Sequence, residues 1–258
     1  MDLELEGTVT MITGGTDGLG LALAQRLVAE GGSVAICGRD EVRLGAALSV
    51  LQTAGGDVLA QQADVEQASD IAAFVDAVAA RWDRIDAVVH NAGRSAGGRV
   101  EDTDDALWEG DLQLKLMGAL RLTRLALPWL RQRGGSALFT LAISAKAPAA
   151  GSGPSSVSRA AGMALMKALS KELGPDGIRV NAILIGLIES GQWVRSAEAS
   201  GVTLSEFYKR LAAGSGIPLE RIGRSEEYAD VAAFLLSARA SYLTGTAINL
   251  DGGLSPVV

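Results

Sequence analysis

Three glycines stand where a phosphate could be held. Gly14, Gly18 and Gly20 belong to the run Thr13-Gly14-Gly15-Thr16-Asp17-Gly18-Leu19-Gly20. Glycine reaches backbone angles closed to other residues and lets a ligand come close to the chain. The run lies between an apolar β-type segment and an amphipathic helical one. The helix start behind it offers unpaired N–H groups and a positive dipole end to a pyrophosphate. Further on, Cys37-Gly38-Arg39-Asp40 closes a second β-type segment. There Arg39 could pair with a nucleotide 2′-phosphate or simply be a solvated arginine. Cys37 reads as a small core residue and not as a reactive thiol. His90 reads as a packed, hydrogen-bonded residue and Lys146 as a loop-surface lysine. The chain has one His and one Cys, so a zinc or iron–sulfur site is not expected and no metal is assigned.

These residues need a scaffold, and the hydropathy pattern supplies one. Strands are expected at Thr8–Thr13, Ser33–Cys37, Asp57–Gln61, Ile85–His90, Ser136–Leu141, Ile178–Ile183 and Ala247–Leu250. Helices are expected at Leu19–Glu30, Glu41–Ala54, Ile71–Trp82, Asp104–Arg133 with a bend near Pro128, Ser155–Leu173 and Glu226–Leu236. Leu187–Pro218 reads as irregular. Such βα alternation implies an α/β fold, a doubly wound parallel sheet of about seven strands between two helix layers. The length of 258 residues, 48% of them hydrophobic, suits one domain spanning 1–258. Charges interrupt every apolar run, so no membrane span is expected. The acidic N-terminus lacks a signal-peptide layout, and with one cysteine a reducing cytoplasm is the simplest setting. A formal charge of −7 without a basic cluster argues against nucleic acid and anionic membranes as partners.

Several motifs together resemble the short-chain dehydrogenase/reductase family along nearly the whole chain. They are Gly14-xxx-Gly18-x-Gly20, Asp64-Val65, His90-Asn91-Ala92-Gly93, Gly177-Ile178-Arg179-Val180-Asn181-Ala182, Tyr242-Leu243-Thr244-Gly245 and Asp251-Gly252-Gly253. The resemblance implies a Rossmann-type fold and a bound NAD(P). It implies cofactor contacts at Gly14, Thr16, Asp17, Gly18, Leu19, Gly20, Asp64, Val65, Asn91, Ala92 and Gly93. Near the nicotinamide it adds Arg159, Gly186, Ile188 and Ser190. Arg39 favours NADP, whereas Asp17 points toward NAD, because NADP-dependent relatives often carry a neutral or basic residue there.

At the chemical end the family pattern is replaced. Relatives that transfer hydride use an Asn, Ser, Tyr, Lys set, with the tyrosine as acid or base. Family spacing carries these roles onto Lys115, Ala142, Ser155 and Arg159, and Ser144 lies two residues past Ala142. The tyrosine cannot be restored by realignment, since the chain's three tyrosines are Tyr208, Tyr228 and Tyr242. A serine hydroxyl does not titrate as a tyrosine does, and an arginine stays protonated, though it can still hold ribose hydroxyls. Ser155 has a second reading as a helix cap. Lys115 reads either as a solvated or acid-paired lysine, or as one pushed into the pocket with a lowered pKa.

The segment 187–218 takes the place of the family's substrate lid. Trp193, Val194, Phe207 and Tyr208 give it an apolar inner face or, alternatively, ordinary core packing. An apolar lid implies a small, mostly apolar organic or acyl substrate. The family's helix pairing implies a homotetramer, or failing that a dimer, with Met163, Leu165, Met166 and Leu169 supplying apolar surface on 155–173. The leading expectation is an oxidoreductase on a carbonyl or alcohol with an atypical or weakened site. Two alternatives stand beside it: a non-redox enzyme such as a cyclase, dehydratase or isomerase, and a catalytically silent nucleotide-binding or assembly partner.

Overall fold

The computed structural model describes residues 2–258. The chain begins β1 (Val9–Thr13), α1 (Gly18–Ala29), β2 (Ser33–Gly38), α2 (Glu41–Thr53), β3 (Val58–Gln62), α3 (Ala68–Trp82) and β4 (Ala87–His90). It continues through β5 (Gly97–Gly98), α4 (Asp105–Leu112), a π-helical turn (Gln113–Met117), α5 (Gly118–Leu130) and β6 (Ser136–Ala142). The last part holds β7 (Gly153–Pro154), α6 (Ser155–Glu172), β8 (Arg179–Ile185), α7 (Gly191–Ala199), α8 (Leu204–Ser215), α9 (Ser225–Leu236) and β9 (Ala247–Leu250).

Seven strands form a parallel sheet in the order β3-β2-β1-β4-β6-β8-β9. All five residues of β1 are buried, as a strand covered on both faces requires. Side chains alternate between the faces. Val9 and Met11 join Phe74, Val78, Leu122, Ala126 and Met166 beneath α3, α5 and α6. Ile12 joins Leu23, Leu27, Leu44, Ala232 and Leu235 beneath α1, α2 and α9. Strand order reverses between β1 and β4, so a crevice opens at their C-terminal ends, where folds of this kind bind ligands.

Three local features differ from the sequence expectation. The long 104–133 helix is interrupted at the π-turn 113–117, while Pro128 sits within the last turn of α5 without ending it. The segment 187–218 is mostly two helices, α7 and α8, with Thr203 capping α8 through Glu206 N. A small antiparallel pairing, Gly97 with Pro154 and Gly98 with Gly153, joins the loop after β4 to the start of α6. Four residues give hydropathy periodicity nothing to detect.

Candidate active site

The glycine run does what its composition demands. Gly14 has φ +65°, and a Cβ there would stand 2.9 Å from the Ala92 Cα. A Cβ on Gly20 would collide with the Gly14 carbonyl, so the start of α1 packs directly under the turn. Asn91 locks this turn to β4: its side-chain Nδ2 donates to the carbonyls of Thr13 and Gly14, both at 3.0 Å. The N-terminal turn of α1, through Gly18 and Leu19, faces a cavity of about 640 Å³. Every nominated cofactor residue except Gly20, and every nominated catalytic position except Lys115, lines that cavity.

The adenosine end carries more positive charge than the sequence reading assigned. Arg39 and Arg43 both line the cavity. Arg43 lies on the first turn of α2 and pairs with Asp40 at 3.1 Å, and Arg39 lies 4.0 Å from Asp64. The Arg-Asp-x-x-Arg spacing was the available signal for Arg43. Asp17 lines the same cavity. It caps α1 by accepting from Gly18 N at 2.7 Å, lies against Gly191, and approaches Arg195 at 3.9 Å.

At the chemical end, the β5–β7 pairing sets Ser155 at the first position of α6. Its N–H donates to the Ala96 carbonyl, and its Oγ accepts from Ala96 N, both at 3.0 Å. Ser155 is therefore not the cap of α6; Pro154 holds that position and makes no side-chain cap bond. Lys115 projects from the π-turn, where the widened helix aims its side chain inward. It is 8% exposed, and its Nζ donates to Ser155 Oγ at 2.5 Å and to Asp111 Oδ1 at 2.6 Å. Asp111 has no exposed surface and accepts from Ser158 Oγ at 2.6 Å. Burial, then the neighbouring Arg159 cation, pulls the Lys115 pKa down to about 8, against the opposing pull of Asp111. Arg159 donates to the Thr140 carbonyl at 3.0 Å, which leaves guanidinium donors for a ligand.

Asp111 was missed in the sequence. Its position four residues before Lys115 on a helix was the signal for a pair. Ala142 and Ser144 both border the cavity, so a serine hydroxyl stands near the position where the carbonyl-orienting group is replaced by a methyl. His90 is buried as expected, with Nε2 2.9 Å from Thr123 Oγ1; burial lowers its pKa to about 3, which keeps it neutral. The Cys37 thiol is buried and pushed up to about 12, as a core residue should be. Lys146 is not a solvated loop lysine: it donates to the Ala247 carbonyl at 3.1 Å and to Asn249 Oδ1 at 3.2 Å. Of the aromatics expected to face the cavity from 187–218, Trp193 lines it. Phe207 meets Trp193 as a tilted pair with ring centroids 6.1 Å apart, Tyr208 packs with Ala212, Ile217 and Ile222, and Val194 is exposed. Arg94 and Ser95 of the loop after β4 and Gln192 of α7 also line the cavity.

Known proteins match this chain over nearly its whole length. A family profile described as enoyl-(acyl carrier protein) reductase matches residues 14–255. A monensin polyketide synthase putative ketoacyl reductase from Streptomyces virginiae is 35% identical over 251 residues, covering 95% of this chain and 96% of that one. Among solved structures, the apo form of a Pseudomonas aeruginosa short-chain oxidoreductase described as containing an atypical catalytic center superposes with a TM-score of 0.94. It is 35% identical, with both chains fully covered. Its NADPH-bound form superposes at 0.92, covering 97% of this chain and 98% of that one, also at 35% identity. A variant of actinorhodin polyketide ketoreductase with NADPH superposes at 0.91 with 32% identity, covering 97% and 98% of the two chains. The chain belongs to the short-chain dehydrogenase/reductase family and is an oxidoreductase of that class. Neither a non-redox enzyme nor a silent partner is favoured by these relatives.

Proposed function

We propose that the protein is an NADPH-dependent reductase of a small, mostly apolar carbonyl compound of the ketoacyl type, with Lys115 and Ser155 delivering the proton. The glycine turn, Asn91 and the N-terminal turn of α1 fit a pyrophosphate, and Arg39 with Arg43 fits a 2′-phosphate. NADPH bound there supplies the hydride. Arg159 holds the nicotinamide ribose through its free donors. Gly186, Ile188 and Ser190 border the nicotinamide end, and Trp193 closes the substrate side.

The observation that carries the mechanism is the 2.5 Å contact between Lys115 Nζ and Ser155 Oγ. Two donors point at that oxygen, so the serine's own O–H is left to donate into the cavity. As negative charge develops on the substrate oxygen, Ser155 passes its proton there and receives one from Lys115, which is then recharged from solvent. A lysine near pH 8 is well placed for this exchange at neutral pH. Ser144, which also borders the cavity, is the hydroxyl proposed to orient the carbonyl.

The test is oxidation of NADPH with acetoacetyl-N-acetylcysteamine, a soluble ketoacyl thioester. Turnover is expected below that of a relative that keeps the tyrosine and lysine. Ser155→Ala and Lys115→Gln should each lower it roughly 10²–10⁴-fold. Saturable NADPH binding with no turnover on any ketone or acyl probe would overturn the reading, as would an unimpaired Ser155→Ala variant.

The same proposal takes 1–258 as one working domain with 187–218 as its lid. We place it in a reducing cytoplasm, in keeping with a single buried cysteine. No helix among the described residues is long and apolar enough to cross a membrane. A homotetramer is proposed as the assembly. Met163 and Leu165 on α6 are only partly covered by the core, whereas Met166 and Leu169 are buried in it.

A further inference from the structure

The buried network under Ser155 contains a carboxylate that nothing in the proton route uses directly. We propose that Asp111 is a positioning residue that fixes Lys115 against Ser155 and sets the pH at which Lys115 gives up its proton. This rests on the reading of Lys115 and Ser155 given above.

The geometry leaves Asp111 little other purpose. Its side chain is wholly buried, where an isolated carboxylate is strongly disfavoured. One oxygen meets Lys115 Nζ and the other meets Ser158 Oγ, each at 2.6 Å. Ser158 sits one turn below Ser155 and directly before Arg159, and its hydroxyl also lies 3.0 Å from the Ser155 carbonyl. Asp111 therefore ties the π-turn that carries Lys115 to the helix that carries Ser155. A lysine without this tie has free rotation about four bonds. With it, the ammonium has two acceptors fixed in place, and one of them is the Ser155 hydroxyl.

Charge gives the second half of the argument. Lys115 is faced by Asp111 from α4, by Arg159 from α6 and by Arg94 from the loop after β4. His90 of β4 shares a small cavity with it and is neutral. Asp111 is thus the one anion among these groups. Removing it leaves two arginines and a lysine, and of the three the lysine loses its proton first. Asp111 opposes burial and the arginines, and holds Lys115 charged up to a pH where it is still useful as an acid.

The experiment is a pH titration of the apo protein labelled at lysine Cε with ¹³C, followed by NMR. The Lys115 resonance is assigned by its loss in Lys115→Gln. In Asp111→Asn, which is isosteric and keeps an acceptor, the Lys115 midpoint should fall by about one pH unit or more. At the wild-type midpoint that means roughly a fivefold smaller charged fraction. Should Asp111→Asn fail to fold, Asp111→Ser leaves room for a water and carries the same expectation. An unchanged midpoint in either folded variant overturns the proposal.

The pH profile of acetoacetyl-N-acetylcysteamine reduction by NADPH is measured beside it. Its alkaline limb should move by the same amount as the Lys115 midpoint, which a purely structural role would not produce. If the midpoint falls while the limb stays in place, the reading of Lys115 as proton donor is refuted. In that case the control of its charge by Asp111 is upheld.

Discussion

Removing the Lys115 cation alone should strand a charge in the core. Lys115→Met keeps most of the side-chain volume and leaves Asp111, with no exposed surface, facing Ser158 as its remaining hydrogen-bond donor. Breaking a buried pair from one side costs about 3–5 kcal/mol, and for a chain of this size each kcal/mol moves Tm by roughly 2–4 °C. The variant should therefore melt about 6–20 °C below the wild type at neutral pH. The double variant Lys115→Met with Asp111→Leu removes both charges and should recover all but about 1–2 kcal/mol. The pair is then measured by a double-mutant cycle in urea. Wild-type stability should also carry a Lys115 signature at alkaline pH. The folded value is about 8 against an ordinary 10.5, so the unfolded chain binds the extra proton between those values. The Lys115 contribution therefore rises with pH across that window, and both variants lose this rise. A Lys115→Met protein as stable as the wild type, or a double variant no better than the single, would refute the picture of a closed ion pair.

Three further outcomes follow from the structure. Arg39→Ala and Arg43→Ala should each weaken NADPH more than NADH in fluorescence titrations, by roughly tenfold or more for lost charge-assisted bonds, while equal losses would remove that arginine from the 2′-phosphate. Gly14→Ala should abolish measurable nucleotide binding while far-UV dichroism stays native, because the new Cβ meets the Ala92 backbone at a positive φ. Arg179→Ala should destabilise by about 2–4 kcal/mol in urea, since its guanidinium donates to the carbonyls of Leu235, Leu236, Ser237 and Ala240 at the end of α9.

How much of this was legible in the sequence depended on the physical source of each feature. Strand and helix order followed from hydropathy period, and most boundaries fell within a few residues. The cofactor end was legible because glycine positions are dictated by backbone approach, which the residue type records directly. The π-turn was not, since nothing in Gln113–Met117 differs in composition from an ordinary helix, and Pro128 was the more visible irregularity. The helices of 187–218 were hidden because both lie on the surface and bury few residues, Ala197 and Ala212 among them. Family spacing brought Lys115, Ser155 and Arg159 to light, but their mutual contacts depend on the β5–β7 pairing and the π-turn. Without those two elements Ser155 looks like a helix cap and Lys115 like a surface lysine.

The replaced positions make more sense as one exchange than as four losses. In relatives the titrating group and its cation sit on one helix; on the mechanism proposed above the titrating group here is Lys115 on the π-turn, and α6 keeps a fixed hydroxyl and a permanent cation. Lys115 Nζ lies 2.5 Å from Ser155 Oγ, so a tyrosine introduced at 155 would have to turn away from that ammonium into the cavity. Ser155→Tyr, Arg159→Lys and Ala142→Ser together should therefore gain little in the thioester assay. Adding Lys115→Asn frees the space, and Asp111→Leu removes the anion that would then be stranded. This fivefold variant should exceed the triple variant by roughly 10²-fold or more, because the groups act as a unit. A triple variant that already turns over at a relative's rate would show that Lys115 does not occupy the proton-donor position and that the exchange described here is wrong.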